Sequence, residues 1–161
     1  MSNLLPLTLK VNGEEKTFLA SPHASLLRVL RDNYYWDVKC GCEEGDCGTC
    51  TVLLDGKAVK SCITLAHNCA GHEVWTDKGL GYNDEITRMI QDAFVECGSI
   101  QCGFCTPGMI VAAKHYIDHG GIADRKEIRK AISGNLCRCT GYNKIVDAIY
   151  KVAVELGREV R

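Results

Sequence analysis

KCGCEEGDCGTCTVLLDGKAVKSC, Lys39 to Cys62, holds five cysteines: Cys40, Cys42, Cys47, Cys50 and Cys62. A four-coordinate metal site or a two-iron cluster takes four of them. Cys42, Cys47 and Cys50 are spaced C-x4-C-x2-C, and Asp55-Gly56 is a hairpin turn that brings Cys62 back beside them. This is the plant-type spacing for a 2Fe-2S cluster. Gly41, Gly45 and Gly48 lie between or beside the ligands, where positive φ lets the chain wrap closely and turn its N–H groups inward. Structural zinc favours paired CxxC knuckles, whereas here three candidate ligands share one loop. Choosing Cys40 would give C-x6-C, so Cys40 is the spare: a packed thiol, a donor to a ligand sulfur, or a point of oxidation.

The flanks of this loop read as strands around one helix. LTLKVNGEEKTFLA, residues 7–20, alternates apolar and polar residues about Asn12-Gly13, a hairpin pattern. SPHASLLRVLRDN, residues 21–33, reads as a short helix with Leu26, Leu27 and Leu30 inward and Ser21 or Ser25 as its cap. CTVLLDGKAVKSC is a second hairpin, and GHEVWT, residues 71–76, is one more strand. A mixed sheet holding one helix is a β-grasp arrangement.

The pattern changes near residue 80. LGYN, residues 80–83, reads as loop. Helical periodicity then covers residues 84–97, 106–121, 124–135 and 143–157. Thr106 is expected as an N-cap with Pro107 behind it, and Asp124 with Glu127 as a capping box. The expectation is an α+β chain: a β-grasp unit over residues 1–78, then an all-α four-helix bundle over residues 79–161. Units this small bury little surface, and a metal cluster in each would supply stability.

The helical part carries a second cysteine group. QCGFCTPG supplies Cys102 and Cys105, and GNLCRCTGY supplies Cys137 and Cys139, each pair close before a predicted helix. Helix N-termini favour thiolates and bound anions. Zinc is a stronger rival here, because CxxC plus CxC can ligate it. Arg138 either offsets cluster charge or pairs with a carboxylate.

Composition sets the frame. The 161 residues are 46% hydrophobic and 24% charged, with net charge −1, which points to neither nucleic acid nor an anionic membrane as partner. No apolar run approaches the ~18 residues of a membrane span. Eleven cysteines, an odd number in tight clusters, suit metal in a reducing cytoplasm better than a disulfide framework. The N-terminus lacks a signal-peptide pattern, so a mature cytoplasmic protein is expected.

GCEEGDCGTCTV followed by SC, then QCGFCTPGM, then GNLCRCTGY, in this order, resembles the small iron–sulfur subunit of the xanthine oxidase family of molybdenum hydroxylases. The likeness runs from Leu7 to Val154. It implies a plant-type ferredoxin domain and a four-helix domain, each with one 2Fe-2S cluster. By this resemblance Cys42, Cys47, Cys50 and Cys62 hold the first cluster, and Cys102, Cys105, Cys137 and Cys139 the second. It also implies that Gln101 and the Cys139 segment lie against the molybdenum–pterin cofactor of a large partner subunit. A medium subunit with FAD is the usual third chain. Hydroxylation occurs in the large subunit with oxygen from water, and electrons leave through the helical-domain cluster and then the plant-type cluster to the flavin.

Cys40, Cys69, Cys97 and the aromatic stretch Asn33-Tyr34-Tyr35-Trp36 depart from the family pattern. The extra cysteines are expected as small buried hydrophobes. The aromatics are either packing or an interface anchor. Of the five histidines, His67 is the one placed to tune a cluster. Two other functions compete with the electron-transfer subunit: a free-standing two-cluster ferredoxin and a zinc-stabilised interaction module. The substrate pocket would belong to another chain.

Overall fold

In a computed structural model describing residues 3–161, β1 (Leu5–Val11) and β2 (Glu14–Ala20) form an antiparallel hairpin pairing Leu5 with Ala20 and Val11 with Glu14. Residues 1–2 of the expected first unit lie outside the described residues. Asn12 (φ 53°) and Gly13 (φ 86°) make the turn, which needs positive φ at both positions. Leu7, Leu9 and Val11 point inward at every second residue. Helix α1 (Leu26–Asp32) follows, and of the two candidate caps it is Ser25 that accepts the Arg28 N–H. Its Leu26, Leu27, Val29 and Leu30 are buried against the strands.

After the cysteine loop, β3 (Thr51–Leu54) and β4 (Lys57–Lys60) pair antiparallel across Asp55 (φ 47°) and Gly56 (φ 77°). A 3-10 turn, Ala66–Cys69, leads to β5 (Glu73–Trp75). The sheet order is β2-β1-β5-β3-β4, and β5 runs parallel to β1 and antiparallel to β3. The sheet is therefore mixed.

Five helices follow, where the sequence pattern suggests four. Residues expected as loop form α2 (Asp77–Asn83), capped by Thr76, whose hydroxyl accepts the Gly79 N–H. Two glycines obscure it in the sequence, and packing of Leu80 against Leu53 and Val111 outweighs their low helix propensity. α3 (Glu85–Glu96) is capped by Asp84, α4 is Thr106–Asp118, and α5 (Arg125–Ala131) is capped by Asp124, which accepts two N–H groups. Thr106 is the first helical residue of α4 rather than its cap; Cys105 takes the cap position. α6 is Asn143–Glu155, entered through Tyr142 at φ 68°.

α3 and α5 each pack against α4 and α6. Their shared core holds Ile90, Phe94, Met109, Ile117, Ile128, Ile145 and Ile149. Each such side chain contributes ~1.5–3 kcal/mol by leaving water. Ile86 and Met89 of α3 are only partly buried, at the edge of this core. Leu53, Leu80 and Val111 form a third cluster, joining β3, α2 and α4 and tying the sheet to the helices. Among the described residues no helix is long and apolar enough to cross a membrane.

Candidate metal centres

The first cysteine loop is shaped by its backbone. Glu43 (φ 57°), Gly45 (φ 87°) and Gly48 (φ 69°) all lie in the left-handed region. These turns bring the N–H groups of Cys47 and Glu44 to Cys42 Sγ, both at 3.4 Å. The two donors, Cys47 first, lower the Cys42 thiol to about 6. Cys62 is pushed the other way, up to about 11, by burial and by the neighbouring Cys50 thiol. Cys47 thus neighbours Cys42, and both Cys50 and Cys42 act on Cys62. Thr49 Oγ1 lies 3.3 Å from Cys47 Sγ. Lys60, at the end of β4, donates to the carbonyls of Gly45 (2.5 Å) and Asp46 (3.4 Å).

The second group is built where the loops before α4 and α6 meet. Cys102 Sγ lies 3.5 Å from Cys139 Sγ, and the Cys105 thiol meets Cys137. The first pair is exposed, while Cys105 is buried and Cys137 half-buried. Burial pushes the Cys105 thiol up to about 12. The Phe104 N–H lowers Cys102. Burial acts upward on Cys137, but the Thr140 hydroxyl at 3.1 Å and nearby backbone donors outweigh it and lower the thiol. The Tyr142 hydroxyl accepts the Cys137 N–H at 2.8 Å, which fixes the loop before α6.

In each group four thiols stand beside backbone N–H and hydroxyl donors. Four such sulfurs suit the thiolate ligands of a 2Fe-2S cluster.

The two centres are neighbours. The Leu136 N–H donates to the Cys47 carbonyl at 2.8 Å. Buried Asn135 donates to Gly48 O at 2.8 Å and to Thr51 Oγ1 at 3.2 Å. Gly48 has no room for a side chain: a Cβ there would stand 2.3 Å from Gly134 O. Sequence reading passes over Asn135, because its partners lie more than 80 residues away and no local pattern marks it.

Gln101 is exposed beside Cys102, and Arg138 is exposed between Cys137 and Cys139. Exposed Ile100, Phe104 and Leu136 belong to the same two loops. Cys40 packs on the first core, and burial followed by Glu43 raises its thiol. Cys69 is buried, with its thiol toward Leu65 O. Cys97 ends α3 and packs on the helical core. His67 is turned to Ala20 O, at 3.4 Å, rather than to the cysteine loop. Tyr35 packs inward, while Tyr34 and Trp36 stand exposed edge to face, 5.6 Å apart.

Comparison with known proteins matches the sites in order. Residues 9–73 match the model of the 2Fe-2S iron-sulfur cluster binding domain, and residues 76–150 that of a second 2Fe-2S binding domain. The nicotinate dehydrogenase small FeS subunit of Eubacterium barkeri is 42% identical over 154 residues, 95% of this chain and 97% of that protein. The nicotine 6-hydroxylase small subunit of Paenarthrobacter nicotinovorans is 37% identical, covering 98% and 95%. Among solved structures, a chain of quinoline 2-oxidoreductase from Pseudomonas putida 86 matches with a TM-score of 0.89 and 39% identity, over 97% of this chain and 96% of that one.

Proposed function

Since the chain belongs to the family of small iron–sulfur subunits of molybdenum hydroxylases, we propose that it carries electrons from a molybdenum–pterin site in a large partner subunit toward FAD, or another acceptor, in a further chain. Bound 2Fe-2S clusters supply the one-electron chemistry. This chain's residues hold them, set their surroundings and fix their separation. Cys42, Cys47, Cys50 and Cys62 take one cluster, and Cys102, Cys105, Cys137 and Cys139 the other.

The observation that carries the reading is the hydrogen bond from Leu136 N–H to Cys47 O. It links the residue before ligand Cys137 to ligand Cys47, so the path between the centres is main chain plus one hydrogen bond. Exposure of Cys102 and Cys139 within a partly apolar rim supports docking of the large subunit at that end. Gln101 and Cys139 stand there to face the pterin. We divide the chain at residues 78 and 79 into a β-grasp ferredoxin domain and a helical domain, whose α3–α6 form the four-helix bundle. Eleven free thiols suit a reducing, cytoplasmic setting.

Purification from the native source, with metal and cofactor analysis, tests this. The expected result is a complex containing molybdopterin, with about four iron and four acid-labile sulfide per copy of this chain and two EPR signals on reduction. A redox-active monomer without partners would instead indicate a free ferredoxin. Zinc without visible absorbance would sink both redox readings.

A further inference from the structure

The Lys60 side chain leaves the end of β4, two residues before Cys62, and turns over the first cysteine loop. Its ammonium binds the carbonyls of Gly45 and Asp46. Those two carbonyls belong to the peptides whose N–H groups, on Asp46 and Cys47, point at Cys42 Sγ. A cation on the oxygen side of a peptide polarises the N–H on its other side. Lys60 therefore acts on Cys42 through these two donors.

The same ammonium lies against the segment that leads into the second centre. A methyl group at Gly134 would lie 3.6 Å from Lys60 Nζ and 3.7 Å from Cε. Gly134 packs on Gly48 and stands three residues before Cys137. No carboxylate among the described residues forms an ion pair with Lys60. Glu43, the acidic residue of the loop that has a cation partner, pairs with Arg28 at 3.3 Å. The charge of Lys60 is thus met by carbonyl dipoles alone, in the seam between the two cysteine groups.

We infer that Lys60 is a positioning residue shared by both centres: its charge raises both reduction potentials and screens the two anionic clusters from each other. A cluster held by four thiolates gains negative charge on reduction, so a fixed cation nearby favours the reduced form. This rests on the reading that both cysteine groups hold 2Fe-2S clusters.

The test is an EPR-monitored redox titration of the holocomplex with Lys60→Gln and Lys60→Arg. Gln keeps a donor for Gly45 O but removes the charge; Arg keeps both. The expected result for Lys60→Gln is a fall of about three- to tenfold in the reduction equilibrium constant of each cluster, about 30–60 mV, larger at the plant-type cluster. Lys60→Arg should stay at the parent values. Unmoved potentials in Lys60→Gln, or a shift in the plant-type cluster alone, would overturn the shared role. So would loss of clusters in both variants, which would make Lys60 a folding clamp. Absence of either EPR signal from the parent complex would count against the cluster assignment itself.

Discussion

The Cys47 carbonyl and the Leu136 N–H meet at 2.8 Å, which joins the two cysteine groups by one backbone hydrogen bond. The Asn135 amide beside it, bonded to Gly48 O and Thr51 Oγ1, holds that contact in place. Asn135→Ala removes a buried donor from two acceptors, although Gly48 O keeps the Thr51 hydroxyl at 2.6 Å. The expected loss is about 1–3 kcal/mol of stability, read from the denaturant midpoint of the cluster-loaded subunit. Electron passage between the centres should slow in the same variant. An unchanged midpoint would mean that the seam is held elsewhere.

Gly48→Ala combines a positive φ with a Cβ 2.3 Å from Gly134 O, backbone that cannot swing aside. Gly56→Ala has the same kind of φ but open space around it. The first should cost more than about 3 kcal/mol and deplete iron, the second only about 1–2 kcal/mol with iron retained. Equal costs would show that conformation alone, without crowding, sets the penalty.

Cys139→Ser should abolish or weaken the helical-domain EPR signal and spare the plant-type one. Retention of both at full intensity would contradict the ligand assignment. Cys40→Ala should leave iron unchanged, since its thiol packs on the core and faces Glu43. A fall in iron by half would move the first ligand from Cys42 to Cys40.

Asp77 is half-buried at the start of α2, and burial raises its carboxyl from 3.8 to about 6, against the pull of the Gln91 amide at 3.0 Å. A carboxyl that binds its proton more tightly when folded stabilises the fold below pH ~4, and this is lost as pH rises through ~6. Asp77→Asn should therefore flatten stability between those values and add up to roughly 2–3 kcal/mol at pH 8. Denaturation curves at pH 4 and pH 8 decide it: parallel behaviour of the parent and Asn proteins at both would refute the shift.

Much of the architecture is written in local pattern. Asn12-Gly13 and Asp55-Gly56 sit at the hairpin turns, and alternation in residues 7–11 marks the buried face. Asp84 and Asp124 cap the helices they precede. The cysteine spacings name eight candidate ligands, and the structure gathers them in two groups. What escapes is non-local. Residues 77–83 are helical because Leu80 finds Leu53 and Val111, a partnership that two glycines hide. Asn135 and Gly108 look ordinary in sequence, because their partners come from the other half of the chain, and Lys60 because its carbonyl partners lie 15 and 14 residues back. His67 illustrates the reverse error: nearness in sequence to Cys62 did not bring it to the site.

Gly48 is crowded from two sides, by Gly134 O and Asn135 on one and by Gly108 on the other, where a Cβ would stand 2.5 Å from Gly48 O. The halves of the chain are thus not interchangeable parts. A chimera that takes its sheet from one relative and its helices from another inherits a fitted surface cut in two. Gly48, Gly108 and the run from Gly134 to Leu136 have to be transplanted as a set, and drift at one of them restricts what the others can become.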